Sequence, residues 1–336
     1  MKILNSKGEP IVLNAREKRV ADINQRKINA LGYEINITTM TTIMKKVSEQ
    51  KYFKITPSDF MPIRVGNGAW STNLLTYLSY ALADDFSKGI LNQGGDNARL
   101  AQGNVGIQGI SVPVKNWAKG IEWNIMELEQ AFKAGNWDLI TSKEKQRKMN
   151  FDLGIQKLFF LGLSGDSSCL GLLNQAGVAF NTTLITKPIS SMTTGELKIF
   201  CATILDDYRT YSNRTAWPTH FVIPESDYLG LAAPVSADFP IKSVLEQLLE
   251  TFRVMTNNKD FKILPLAYAD AAYSGFGYQQ YCLYNYEEES LRGDVPVAYT
   301  STVANTFDGF SYRNVGYAQF TGVQAYRPLE LRYYKY

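Results

Sequence analysis

Histidine occurs once in this chain of 336 residues, at His220, and cysteine three times, at Cys169, Cys201 and Cys282, with no C-x-x-C pair. That scarcity excludes a disulfide framework and a cysteine zinc site, and leaves too few imidazoles for an ordinary transition-metal centre. Long apolar runs are missing as well. The longest, "LFFLGL", is far shorter than the roughly 20 residues a membrane-spanning helix needs. The start "MKILNSKGEP" has no apolar signal region, so the expectation is a chain of a reducing interior, neither exported by that route nor inserted in a membrane. The sequons at Asn36, Asn181 and Asn213 then carry no meaning.

The usual chemical signatures are absent too. "GLSGDSS" lacks the Lys-Ser/Thr that follows the glycines of a phosphate loop, and "GNVGIQG" spaces its glycines at three, unlike a dinucleotide fingerprint. No G-x-S-x-G elbow accompanies His220, which opens an apolar run and reads as structural. The pair Asp206-Asp207 and the run Glu287 to Glu289 read as exposed carboxylates, and Arg292-Gly293-Asp294 as a turn between strands. No cofactor is expected. The net charge of +3 is modest, but its distribution is uneven: residues 1–54 hold eleven basic and five acidic residues, leaving the remainder slightly acidic. A basic start on an acidic body suits contact with a polyanion or an acidic neighbour.

What is present is a folded chain, 45% apolar and 20% charged. From Asn67 to Trp117 two apolar runs flank a tip rich in Gly, Asn and Gln, which reads as a hairpin-like excursion, with an amphipathic helix over Thr72 to Phe86 as the competing reading. Glu122 to Ala134 predicts a helix, broken at Gly135-Asn136 and followed by a longer one from Asp138 to about Phe160, striped by Ile140, Met149, Leu153 and Phe160. Thr193 and Glu196 form a capping box before the stripe Leu197, Phe200, Cys201, Ile204, Leu205 and Tyr208. "THFVIP" is a strand, Ile241, Val244, Leu245, Leu248 and Phe252 stripe another helix, and "FKILPLA" and "YQQYCLYNYEEE" are strands. After Leu291 the pattern is β to the end, and these strands are expected to return to the sheet beside the long helix. The corner "LGLSGDSSCLGLLN" reads as backbone architecture, with Gly162 and Gly165 leaving helical geometry and Leu170, Leu172 and Leu173 fastening the turn.

The block "IEWNIMELEQAFKAGNWDLITSKEKQRKMNFDLGIQKLFFLGLSGDSSCLGLLN", then "WPTHFVIPESDYLGL" and "GVQAYRPLEL", resembles tailed-phage major capsid proteins of the Hong Kong 97 fold. The likeness runs from about Lys119 to the C-terminus. It implies an α+β, Hong Kong 97-like fold: an N-terminal arm and lead-in over 1–66, an extended loop over 67–118, a peripheral domain with a long spine helix over 119–191 and 291–336, and an axial α/β domain over 192–290. It further implies a non-enzymatic subunit that self-assembles through homopentamers and homohexamers into an icosahedral shell around double-stranded DNA contacted non-specifically. Scaffold, portal and decoration proteins are the other partners, with no membrane. The shell is a virion capsid assembled in the bacterial host cytoplasm. Arg99, Leu100, Val105 and Ile107 of the loop, with Lys18 and Arg19 of the arm, are the expected assembly contacts. The alternatives are an encapsulin-like nanocompartment shell and a cytoplasmic carboxylate-based enzyme.

Overall fold

The computed structural model describes residues 53–81, 105–133, 138–234, 242–306 and 308–336, the side chains of 80 and 81 excepted. The described residues of 53–128 and 139–336 belong to one compact unit. The basic start, with Lys18 and Arg19, lies outside the described residues, as do Arg99 and Leu100.

The spine helix runs from Leu139 to Leu161, about 35 Å at the usual rise. Glu122 to Asn124, expected to be helical, instead end a strand, because they pair with Arg313, Tyr312 and Ser311 across a ten-residue antiparallel ladder. The ladder joins β4 (Lys115–Asn124) to β12 (Ser311–Phe320), with β10 (Val297–Ser301) and β11 (Asn305–Thr306) pairing along β12's other side. Helix α1 (Ile125–Lys133) follows directly, its Glu127 amide capped by Asn124 Oδ1 at 2.7 Å. The spine helix is α2.

Of the expected α2 stripe only Phe160 is buried; the inward positions are Leu139, Arg147, Phe151, Gln156, Leu158, Phe159 and Phe160. Two polar residues face inward because each finds specific partners. Gln156 accepts from the Ile55 amide at 2.8 Å and donates to Tyr268 Oη at 3.1 Å. Arg147, 2% exposed, reaches three strands. Its Nε donates to Tyr299 Oη (2.8 Å), Nη2 to Ser301 Oγ (2.9 Å), and Nη1 to the carbonyls of Asn314 (3.1 Å) and Lys119 (3.4 Å). Gly316 on β12 leaves the gap for this side chain: a Cβ there would stand 2.8 Å from both Arg147 Nε and Tyr299 Oη.

A second sheet has the order β5 (Phe180–Asn181), β14 (Leu331–Lys335), β8 (Gln280–Tyr284), β6 (His220–Pro224), β7 (Lys262–Leu266). The last run, "LELRYYKY", therefore does not join β4 and β12; it enters this sheet, one face of which packs on α2. The reason is visible in its alternation: Leu331 and Tyr333 join one apolar cluster and Tyr334 the other. Both faces of a central strand are covered, so period-two alternation serves two cores at once. Val222, Cys282 and Tyr284 face the cluster that holds Phe151, Leu158, Phe159 and Phe160 of α2. Phe221, Ile223, Tyr281 and Leu283 face the cluster built on α3 (Thr194–Tyr211) and α5 (Val244–Thr256). The Thr193–Glu196 capping box is present, and Ser243 with Glu246 forms a second one at the start of α5. Short helix α4 (Glu225–Gly230) places Asp227 to accept from the amides of Ile189 and Ser190 and from Tyr281 Oη, each at 2.8 Å.

The remaining sheet is small: β1 (Ile63–Val65), β9 (Leu291–Val295) and β13 (Val323–Ala325). Arg292-Gly293-Asp294 lies inside β9 and not at a turn. Its two charged groups are buried and meet each other at 3.2 Å, and Arg292 Nη2 also donates to Tyr326 Oη at 2.9 Å.

The junction at Arg147 yields a stability prediction. Arg147→Ala strands several buried acceptors and lowers subunit stability by about 3 kcal/mol, and Gly316→Ala lowers it by about 1–3 kcal/mol through overpacking. In the double variant the added methyl enters space the guanidinium has left, so urea unfolding should show a loss smaller than the sum. Strict additivity would mean that the two residues do not share a junction.

Candidate functional site

The corner after α2 is closed by its own chain. Leu172 and Leu173 amides donate to the carbonyls of Phe159 and Phe160 at 2.8 and 3.0 Å, and both side chains are buried. The Gly171 amide donates to Asn174 Oδ1, the Ser168 amide to Asp166 Oδ1, and the Leu163 amide to the Cys169 carbonyl. These amides are thus engaged within the corner itself. Lys115 and Ser168 hold the Asp166 carboxyl down at about 2, so the anion in this loop is internal. Gly162 has φ +74° and a Cβ there would lie 2.7 Å from the Cys169 carbonyl oxygen, which is why glycine stands at the turn.

Three of the carboxylates singled out above are likewise engaged. Glu288 pairs with Arg64 at 2.6 Å, Glu289 with Arg327 at 2.7 Å, and Asp207 with Arg332 at 3.0 Å. Among the described residues no group of three His, Cys, Asp or Glu is placed to hold a metal ion, and no helix is long and apolar enough to cross a membrane. All three cysteines are buried, and burial pushes the Cys201 thiol up to about 12.

An exposed apolar surface stands out instead. Strands β2 (Asn73–Ala81) and β3 (Val105–Pro113) form a two-stranded antiparallel ribbon, so the competing helical reading of Thr72 to Phe86 does not hold over β2. Neither strand contains a charged residue. The register sets Leu75 opposite Ser111, Tyr77 opposite Gly109, Ser79 opposite Ile107 and Ala81 opposite Val105. Directly paired residues share a face, so Leu75, Tyr77, Ile107 and Val105 line one side, at 56, 69, 68 and 69% exposure. The other side turns inward at its base, where Val112 is buried and Thr76 accepts from Arg292 at 3.3 Å. Of the contacts expected from sequence, Val105 and Ile107 fall on this stripe. Leu75 and Tyr77 are additions, because only the pairing register brings them alongside residues some thirty positions later.

His220 occupies the buried start of β6. Its Nδ1 lies 3.0 Å from Thr219 Oγ1, and its ring stacks on Tyr286 with centroids 4.7 Å apart. Burial, with a smaller contribution from Lys262, lowers its pKa to about 4. Unfolded chain takes up the proton near pH 6.5 and the folded chain does not, so stability is retained above that pH and falls as pH drops from about 6.5 to about 4, by up to about 3 kcal/mol. His220→Phe keeps the stacking and removes the titration. Urea midpoints measured across that window should fall more steeply for the wild type than for the variant; parallel profiles would show that His220 is already charged in the fold.

Comparison with curated protein sequences finds no match. The family model described as "Major capsid protein" matches residues 90–336. Among solved structures, the capsid of Myoviridae phage XM1 superposes with a TM-score of 0.71 at 18% identity, covering 90% of this chain and 99% of that one. The capsid of a native GTA particle gives 0.60 at 10% identity, covering 91% and 98%. Mycobacterium phage Ogopogo gives 0.53 at 10% identity, covering 90% and 99%. Likeness at such identities establishes the fold, which is α+β and Hong Kong 97-like, while the family model accounts for most of the sequence. This chain belongs to the major capsid protein family.

Proposed function

We propose that copies of this chain assemble through five- and six-membered rings into the icosahedral shell of a tailed phage, enclosing double-stranded DNA, and that the β2–β3 ribbon clasps a neighbouring copy. Family membership supports the shell. The single observation that supports the clasp is the uncharged ribbon with Leu75, Tyr77, Val105 and Ile107 open to solvent on one face. Soluble monomers rarely carry a contiguous apolar stripe of this kind, and natural exposed edges are usually blunted by charge. Rings close only through heterologous contacts, in which one patch meets a different patch on the next copy.

On this reading the subunit acts by packing and not by catalysis, and resides in the virion after assembly in the host cytoplasm. The basic residues of 1–54, Lys18 and Arg19 among them, serve DNA or an acidic neighbour; Arg99 and Leu100 extend the clasp. Domain limits follow the resemblance, with 192–290 axial and 119–191 plus 291–336 peripheral. Scaffold, portal and decoration proteins complete the particle. A protein-filled compartment shell is the less favoured reading, since the family model and the phage and GTA capsids point to genome-bearing particles.

Tyr77→Asp and Ile107→Asp test the clasp. Both sites are exposed, so subunit stability should change by less than about 0.5 kcal/mol. Sedimentation should show wild type as megadalton particles and either variant as subunits or isolated rings. Particles of normal size and yield from both variants would remove the ribbon from the assembly contact.

A further inference from the structure

We infer that Asn67 is a site of spontaneous deamidation in the folded subunit, and that its conversion loosens the entry to the ribbon. Asn67-Gly68 is the only Asn-Gly pair in the sequence. It lies in the turn linking β1 to β2, where Val65 through Trp70 are all exposed. Among the described residues neither the Asn67 side chain nor the Gly68 amide makes a hydrogen bond, so no contact has to break before they react.

The reaction needs only hydroxide and water. The Gly68 nitrogen, after losing its proton, attacks Asn67 Cγ; the N–Cγ bond forms, the Cγ–Nδ2 bond breaks, and ammonia leaves. Water then opens the resulting succinimide at either carbonyl, giving aspartate or isoaspartate. One water is consumed, one ammonia is released, and nothing is oxidised or reduced. Glycine in the following position has no Cβ to shield the attacking nitrogen, and Gly68 is already in the left-handed region at φ +74°.

The position makes the product consequential. The ribbon enters through a small set of bonds around this turn: Gly66 amide to the Val295 carbonyl (3.0 Å), Trp70 amide to Gln319 Oε1 (2.8 Å), and Ser71 amide to the Gly68 carbonyl (3.1 Å). Leu74, at the start of β2, packs against Gly68 so closely that a Cβ there would stand 2.2 Å from its Cδ2. Isoaspartate puts an extra methylene into the main chain inside this set, and either product adds a negative charge to a segment without one between Val65 and Ala81. The effect on assembly rests on the clasp reading; the modification does not.

The test uses the full-length subunit, held for days in mildly alkaline buffer and then digested with trypsin. The peptide Val65 to Lys88 contains Asn67 and, as an internal control, Asn73 followed by Leu74. It should become about 1 Da heavier, with fragment ions placing the change at Asn67 and isoaspartyl methyltransferase labelling part of it, whereas Asn67→Gln should show none. An unchanged Asn67, or one converting no faster than Asn73, would overturn the modification. In the second arm, aged wild type should assemble less than fresh, and aged Asn67→Gln as well as fresh. Converted wild type assembling at the fresh level would overturn the effect on the ribbon while leaving the Tyr77 and Ile107 tests untouched.

Discussion

Taking the Arg147 guanidinium out of water is unfavourable by several kcal/mol unless its donors are met, and the fold meets them with groups from β4, β10 and β12 together. An aliphatic side chain at that position would hold α2 on the sheet by area alone and would tolerate sliding. The guanidinium fixes one register, because its planar fork matches two carbonyls and two hydroxyls only where Gly316 leaves room. Everything beyond α2 inherits that placement: the corner at Gly162, the return of Leu172 and Leu173 onto the helix end, and the seating of β12 along β4.

The five-stranded sheet adds a second constraint. Its strands alternate between two apolar clusters, so that Val222 and Cys282 serve one core while Phe221, Ile223 and Leu283 serve the other. Strand β14 joins at the end of the chain and contributes to both. A subunit built this way is rigid through its middle, and rigidity suits a shell part, since repeated contacts close into rings only if each copy presents the same angles. The ribbon is the contrast, two uncharged strands carrying an apolar face that the described residues leave uncovered.

Much of the core is readable from the sequence because local signals and tertiary packing agree there. The Thr193–Glu196 capping box and the α3 stripe are examples, as is the wholly buried β6. Ser243 with Glu246 carries the same capping pattern ahead of α5, a local signal that sequence reading could have used. Where reading fails, a long-range partner overrides local preference. Glu122 to Asn124 are strand because β12 lies beside them, Arg147 and Gln156 are inside because particular partners wait there, and Arg292 and Asp294 are buried because each neutralises the other. The exposed apolar stripe is half visible: Val105 and Ile107 are within reach of sequence, while Leu75 and Tyr77 require the pairing register.

On the proposed reading, another copy covers this stripe when the shell closes. Cryo-electron microscopy of assembled particles tests it most directly. Density from a neighbouring subunit is expected against Leu75, Tyr77, Val105 and Ile107, with each side chain passing from more than half exposed to buried. A closed shell in which all four still face solvent would contradict it.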